Sequence, residues 1–322
     1  MTANHNILAV DLGGTKVATG LVDATSVVLQ RAVAPTVTSS RDACLASLWA
    51  QIDAALAAAP RRVEAIGVGV ASMVDFSAGR LIMSTNLPLV DVPLRGLMES
   101  RYDLPVAIDN DATVACIGEH QRGAGIGTQE MLMLTLGTGI GGGIIAGGRP
   151  YRGFSGAAAE LGHMVIDVDG PPCQGSCPNH GCLESLASGT AIGKAALAAA
   201  QAKPASALGR ALAAGETIDG RLAHALAEQG DAAALEVFTG IGSLLGVGIT
   251  SLVNIFNPEL VVIGGAVAQA GDLLLEPARA VLRERGLQPQ RDQARIVPAL
   301  FGEDAGLIGA AALAQTELLP DS

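Results

Sequence analysis

Aromatic side chains are scarce in this chain of 322 residues: one Trp, two Tyr and five Phe make up 2% of it. The 41 glycines point instead to small residues and tight backbone turns. Charge is thin as well, at 16% against 49% hydrophobic, a balance that excludes intrinsic disorder and permits a large core. The 20 basic residues are outnumbered by 31 acidic ones, for a net charge of −11, and no basic run stands out. Tight binding to a phosphodiester backbone needs clustered Lys and Arg, so nucleic acid is not an expected partner. A small anionic ligand remains compatible, because backbone donors can hold it locally. The start of the chain lacks the basic region and cleavage pattern of a signal peptide. Two long uncharged stretches, 131–148 and 237–258, are read as a glycine-interrupted strand pair and as a buried helix that carries Thr239, Ser243, Thr250, Ser251 and Asn254. No membrane partner is expected, and the location is expected to be cytoplasmic.

At ~100–200 residues per domain the length suits two compact domains. Residues 7–11 form a short apolar run, Gly13-Gly14-Thr15 punctuates it, and an apolar run resumes at 17–22. A further strand near 27–32, a helix over 41–59 and a buried strand over 63–70 follow. Residues 106–108 read as a strand closing on Asp109-Asn110-Asp111, with a helix over 112–120. A second strand pair flanks Gly137-Thr138-Gly139. An Ala-rich helical region spans 187–231, a strand over 259–263 ends in Gly264-Gly265, and small residues allow the helix over 305–314 to pack closely. Strand–turn–strand followed by strand–helix alternation thus occurs twice. The expected fold class is α/β, with two related α/β domains flanking a cleft, residues 1–120 and 121–322. The C-terminal helix is expected to pack back on the first domain.

Phosphate oxygens need several converging backbone N–H groups, and a side chain at Gly13 or Gly14 would block that approach. Asp11-Leu12-Gly13-Gly14-Thr15-Lys16 therefore reads either as a phosphate cradle, with Asp11 holding a hydrated Mg²⁺, or as a plain glycine hairpin with Asp11 as turn-former. Gly137-Thr138-Gly139 repeats the device, and two such hairpins, one per domain, suit a triphosphate gripped from both sides. Neither fits the G-x-x-x-x-G-K-[ST] pattern or a dinucleotide fingerprint. Within Asp109-Asn110-Asp111 one side chain is suited to cap the following helix, and a carboxylate projected into the cleft would take the proton of an attacking alcohol.

Glu160-Leu161-Gly162-His163 is followed by Cys173, Cys177, Cys182 and Glu184, placing three of the five cysteines within ten residues. In a cytosolic chain these are not expected to pair as disulfides. Three thiolates and one imidazole suit a closed tetrahedral zinc site that would hold a Gly- and Pro-rich loop and orient Glu160, His163 and Glu184. The alternative is a loop with incidental reduced thiols, and His180 is a rival ligand.

Together these motifs resemble the ROK family (repressor, open reading frame, kinase) of sugar kinases, within the actin-like ATPase superfamily. The resemblance runs nearly end to end, through 11–16, Asn110-Asp111-Ala112, 136–143, 160–163, the cysteine loop to Glu184, and Gly264-Gly265. It implies an actin-like, ribonuclease H-like pair of domains closing over ATP with Mg²⁺, and transfer of the γ-phosphoryl to the 6-hydroxyl of a hexose, glucose before others. It implies that Asp111 is the catalytic base, that Asn110, Glu160, His163 and Glu184 touch the sugar, and that His163 also binds zinc through its other nitrogen. Gly13, Gly14, Thr15, Lys16, Gly137, Thr138, Gly139, Gly264 and Gly265 would hold the nucleotide. Two features depart from the family pattern. Gly175 stands where the first cysteine of the loop is usual, so Cys173 must reach from two residues earlier, and Ala71-Ser72-Met73 replaces a usual Pro-Gly beside the sugar. The alternatives are a kinase for N-acetylated or 2-epimeric hexoses, or a sugar sensor without catalysis. Many relatives carry an N-terminal DNA-binding domain; with Asp11 so near the start none is expected here, and a homodimer or homotetramer is the expected assembly.

Overall fold

The computed structural model describes residues 5–319. The chain divides into two compact units: one holds the described residues up to 129, residues 143–159 and those from 300 onward, the other residues 130–142 and 160–299.

The first unit begins with β1 (Ile7–Leu12), β2 (Lys16–Val22), β3 (Val28–Pro35) and α1 (Arg41–Ala58). It continues through β4 (Ala65–Val70), the small hairpin β5 (Met73–Asp75) and β6 (Arg80–Met83), α2 (Leu94–Tyr102), β7 (Val106–Asn110) and α3 (Asp111–Arg122). Its sheet runs β3-β2-β1-β4-β7. β1, β4 and β7 are parallel, with Asp11 opposite Gly69 and Gly69 opposite Asp109. β1 and β4 are apolar almost throughout because both faces are covered. The period of two sorts their side chains: Leu8, Val10 and Leu12 join Cys44, Leu48 and Ile52 of α1 in one core, whereas Ile7 and Ala9 join Val114 and Ile117 in the other. That second core is completed by the C-terminal helix, which contributes Leu307, Ala310, Ala311 and Ala314. A Cβ at Gly67 would overlap the carbonyl oxygen of Ala310, so this helix lies directly on β4. The same parity places Asp11, two residues after Ala9, and Asp109, two after Ala107, on the side of the C-terminal helix.

The second unit carries β8 (Met131–Leu136) and the start of β9 (Ile140–Ala146), which runs on through β10 (Arg149–Pro150) in the first unit. Then come α4 (Leu183–Ala187), α5 (Gly189–Ala202), α6 (Ala207–Ala213), α7 (Gly220–Glu228), α8 (Ala232–Phe256), β11 (Leu260–Gly264), α9 (Asp272–Arg285), α10 (Gln290–Gln293) and β12 (Arg295–Pro298). The C-terminal helix of the first unit is α11 (Ala305–Leu318). The second sheet has the order β10-β9-β8-β11-β12, with β8, β11 and β12 parallel. Both units are α/β, as the strand and helix pattern predicts. α8 is long and apolar enough to cross a membrane by length and composition. In this protein it is the central helix of its unit, burying Val237, Phe238, Ile241, Leu245, Ile249 and Leu252, and it packs on α9, α5, α4 and α7. Asp231 caps its first turn, and Asn257, in the left-handed conformation at φ 46°, stops it before Pro258.

Candidate functional site

Asp11 leaves the end of β1 and Asp111 opens α3, one hundred residues later. Parallel pairing through β4 brings the two carboxylates close enough for the charge of Asp111 to act on Asp11. Burial, then the Asp111 charge, push the Asp11 carboxyl up to about 6, and Lys16 opposes the shift. A Cβ at Gly306, in the first turn of α11, would meet Asp11 Oδ2 at 2.6 Å, so only glycine leaves room for this carboxylate beside the helix. The Gly13–Lys16 turn closes through Gly13 N–H to Lys16 O at 3.0 Å, and Thr36 braces it from its hydroxyl to Gly13 O and from its N–H to Thr15 O. Asn86 packs on Gly14, where a Cβ would meet the asparagine Cβ at 2.6 Å. Thr15 and Lys16 are exposed.

A carboxyl whose pKa is raised on folding stabilises fully below its unfolded value, and that stability is lost as pH rises through the folded value. For Asp11 the window runs from 3.8 to about 6. Asp11→Asn is therefore expected to melt near the wild-type temperature at pH 4. Its advantage should grow to at most ~3 kcal/mol by pH 7. Thermal melts at both pH values check this, and an equal gain at both would refute the assignment.

The question of which residue of Asp109-Asn110-Asp111 caps α3 has a clear answer. Asn110 is the cap: its Oδ1 accepts from Ala112 N and Thr113 N at 3.0 and 3.1 Å. Its Nδ2 donates to Asp111 Oδ1 at 3.0 Å and to the Ser72 carbonyl at 3.3 Å, so all four hydrogen-bonding positions of the amide are in use. Asp111 Oδ1 also accepts from Ala112 N at 2.9 Å, and the N–H of Asp111 itself acts on the same carboxylate. Its surroundings strip water from the carboxylate and push its pKa up, against the donors from Ala112 and Asn110. Asp109 is buried and paired with Arg152 Nε at 2.7 Å.

In the second unit the Gly137–Gly139 turn closes through Gly137 N–H to Gly139 O at 2.9 Å. Gly137 O accepts from Gly189 N at the start of α5, and Thr138 O accepts from the Thr190 hydroxyl and Gln174 Nε2. Among the described residues nothing lies within 4 Å of where a Gly137 Cβ would be. Gly265 has φ +82° and a Cβ there would overlap Leu136 O, so the end of β11 presses on the end of β8 only because this residue is glycine. Glu184 Oε2 accepts the Ile140 N–H at 2.8 Å, which ties that carboxylate to the same turn.

Residues 165–182 fold back on themselves through isolated bridges between Val165 and Cys182 and between Pro172 and His180. The fold-back gathers one donor atom each from His163, Cys173, Cys177 and Cys182 within 4.8 Å of one another. Cys173 Sγ lies 3.4 Å from His163 Nδ1, and Cys177 Sγ lies 3.9 Å from Cys182 Sγ. A tetrahedral zinc has S···S edges of about 3.8 Å and S···N edges of about 3.6 Å, so the donor set fits such an ion. Cys173 is inside the cluster despite its displaced position in the sequence, and His180 is outside it. Burial pushes the Cys173 and Cys182 thiols up, so a bound cation is what would hold them as thiolates. The other ring nitrogen of His163, Nε2, is 3.8 Å from Glu160 Oε2. One imidazole thus faces the thiols on one edge and a carboxylate on the other.

The model of the ROK family matches residues 7–317 of this chain. The chain belongs to the ROK family. Among ROK relatives, the glucokinase of Streptomyces coelicolor is 34% identical over 96% of this chain and 97% of its own length. The glucokinase of Halalkalibacterium halodurans is 39% identical over 76% of this chain and 74% of its own. A ROK glucokinase from Streptomyces griseus, solved in complex with glucose and AMPPNP, superposes with a TM-score of 0.85 at 35% identity, covering 97% of this chain and 99% of that one. For a ROK chain, sequence reasoning found the glycine turns, the Asp-Asn-Asp strand end and the cysteine loop. It missed Arg152, Asn86 and Gly306, and it met Ser72 only within Ala71-Ser72-Met73, not as a partner of Asn110. Gly306 could have been suspected from the small residues of α11, but Arg152 and Asn86 carry no local signal.

Proposed function

We propose that this ROK protein transfers the γ-phosphoryl group of ATP to the 6-hydroxyl of glucose. The observation that carries the reading is Asp111: its Oδ1 is anchored by Ala112 N and Asn110 Nδ2, and the neighbouring Asn110 has taken over the capping duty. The glucokinase relatives and the likeness to a kinase bound to glucose and an ATP analogue support the sugar and the donor. Asp111 Oδ2 accepts the proton of the attacking hydroxyl, the sugar oxygen forms its bond to phosphorus, and the bond from phosphorus to the ADP oxygen breaks. Gly13, Gly14, Thr15 and Lys16 hold phosphate oxygens from the first unit. Gly137, Thr138 and Gly139 hold them from the second, and Gly264 and Gly265 lie toward the adenosine. Mg²⁺ carried with ATP and held through water by Asp11 supplies neutralisation of phosphate charge. Glu160, His163 and Glu184 bind sugar hydroxyls, and Asn110 joins them by exchanging its long bond to Ser72 for one. Zinc held by His163, Cys173, Cys177 and Cys182 is structural and sets the orientation of the sugar-binding side chains. The reaction is placed in the cytoplasm, where ATP and reduced thiols are available.

The purified protein with Mg-ATP is to be offered glucose, mannose, N-acetylglucosamine and N-acetylmannosamine, with products identified by mass. Glucose phosphate as the dominant product is expected. A preference for an N-acetylated or 2-epimeric sugar would change the substrate, and binding without any sugar phosphate would make the protein a sensor.

A further inference from the structure

Arg152 stands outside every motif of the sequence, yet its side chain makes two ion pairs and a ring contact within the first unit. Its Nε donates to Asp109 Oδ2 at 2.7 Å, and its terminal nitrogen donates to Glu317 Oε1, on α11, at 3.1 Å. Its guanidinium lies 3.6 Å from the centre of the Phe76 ring, just beyond β5. One side chain therefore joins the end of β7, the last turn of α11 and the β5–β6 hairpin. The Asp109 side chain is only 2% exposed and that of Arg152 only 18%, so this is a desolvated pair rather than a solvated surface contact.

From Asp109 the bonds continue toward the base. Asp109 Oδ1 accepts the Asn110 N–H at 2.9 Å, Asn110 Oδ1 caps α3, and Asn110 Nδ2 donates to Asp111 Oδ1. Each link leaves one geometry for the next, because the Asp109 carboxylate is used from both oxygens and the Asn110 amide is saturated. Arg152 also heads the segment that runs through Gly153 and Gly156, both at positive φ, to Glu160. Its carbonyl accepts the Ala158 N–H at 3.2 Å, and a Cβ at Gly156 would overlap Val74 O.

We propose that Arg152 is a positioning residue that fixes the direction of the Asp111 carboxylate through Asp109 and Asn110. This rests on Asp111 being the base. A group acting through others should change turnover rather than affinity, since a displacement of about 1 Å at a reacting group costs ~100-fold in rate.

The test compares Arg152→Met, the neutral pair Asp109→Asn/Arg152→Met, and Asp111→Asn, each assayed for kcat and for KM of both substrates, with melting followed by circular dichroism. Arg152→Met strands a buried carboxylate and is expected to melt lower; the neutral pair removes that charge and recovers much of the stability. In the neutral pair kcat is expected to stay ~30–100-fold below wild type, with both KM values within about threefold. A neutral pair that turns over at the wild-type rate, or one whose loss lies in KM alone, would overturn the proposal and leave Arg152 a purely structural residue. If Asp111→Asn itself kept its activity, the reading of Asp111 as base would fail instead, so the two failures are told apart.

Discussion

Asp111→Asn is expected to lose at least ~1,000-fold in kcat while glucose still binds with near wild-type affinity. The substitution is nearly isosteric. The amide oxygen can keep the two hydrogen bonds that Asp111 Oδ1 now accepts from Ala112 N and Asn110 Nδ2. What changes is the second atom: an NH₂ group replaces Oδ2 and cannot take a proton. The fold should tolerate the change, because burial already disfavours the charged carboxylate. A folded-state pKa raised by burial means stability lost as pH rises, so the neutral amide should melt at or above wild type at pH 7. The charge of Asp111 also raises the pKa of Asp11, so the Asp11 carboxyl should titrate lower in this variant than its present value of about 6. Kinetics, glucose titration by calorimetry and NMR titration of Asp11 measure the three effects. Wild-type turnover by Asp111→Asn would remove it as the base.

Cys177→Ser is expected to lower bound zinc from about one equivalent per chain to a small fraction of that, and to cost ~10–100-fold in activity. The cluster closes a loop that has no helix or strand of its own between Val165 and Cys182. Within 165–182 the backbone is secured by two isolated bridges and a few turn bonds, and most of its side chains are exposed. Without the ion, His163 loses the contacts that fix its ring plane, and the approach of Nε2 to Glu160 is no longer defined. Chelation of the wild-type protein should reproduce the loss and zinc should restore it. Metal analysis and melting curves decide the matter, and a metal-free protein with full activity and an unchanged melt would show that the thiols are incidental. Because thiolates must form on binding, zinc affinity should weaken as pH falls.

The sequence alone determined the features that are local. Glycine and threonine at the ends of apolar strands, an Asp-Asn-Asp boundary between strand and helix, and three cysteines within ten residues are visible because turn chemistry, capping and ligand spacing act over a few residues. The alternation of strands and helices likewise specified α/β, since period and punctuation are local properties. Only the tertiary structure decided which residue of the triplet caps α3, because Asn110 and Asp111 are equally suited to the task by residue type. It also brought Asp11 beside Asp111, through two parallel pairings and a side-chain parity that a one-residue slip would reverse. Cys173 meets His163 only after the loop folds back, and Arg152 finds Asp109 across 43 residues. Such contacts depend on how elements pack, and packing is set by the summed fit of many apolar side chains rather than by any residue's own neighbours in the chain.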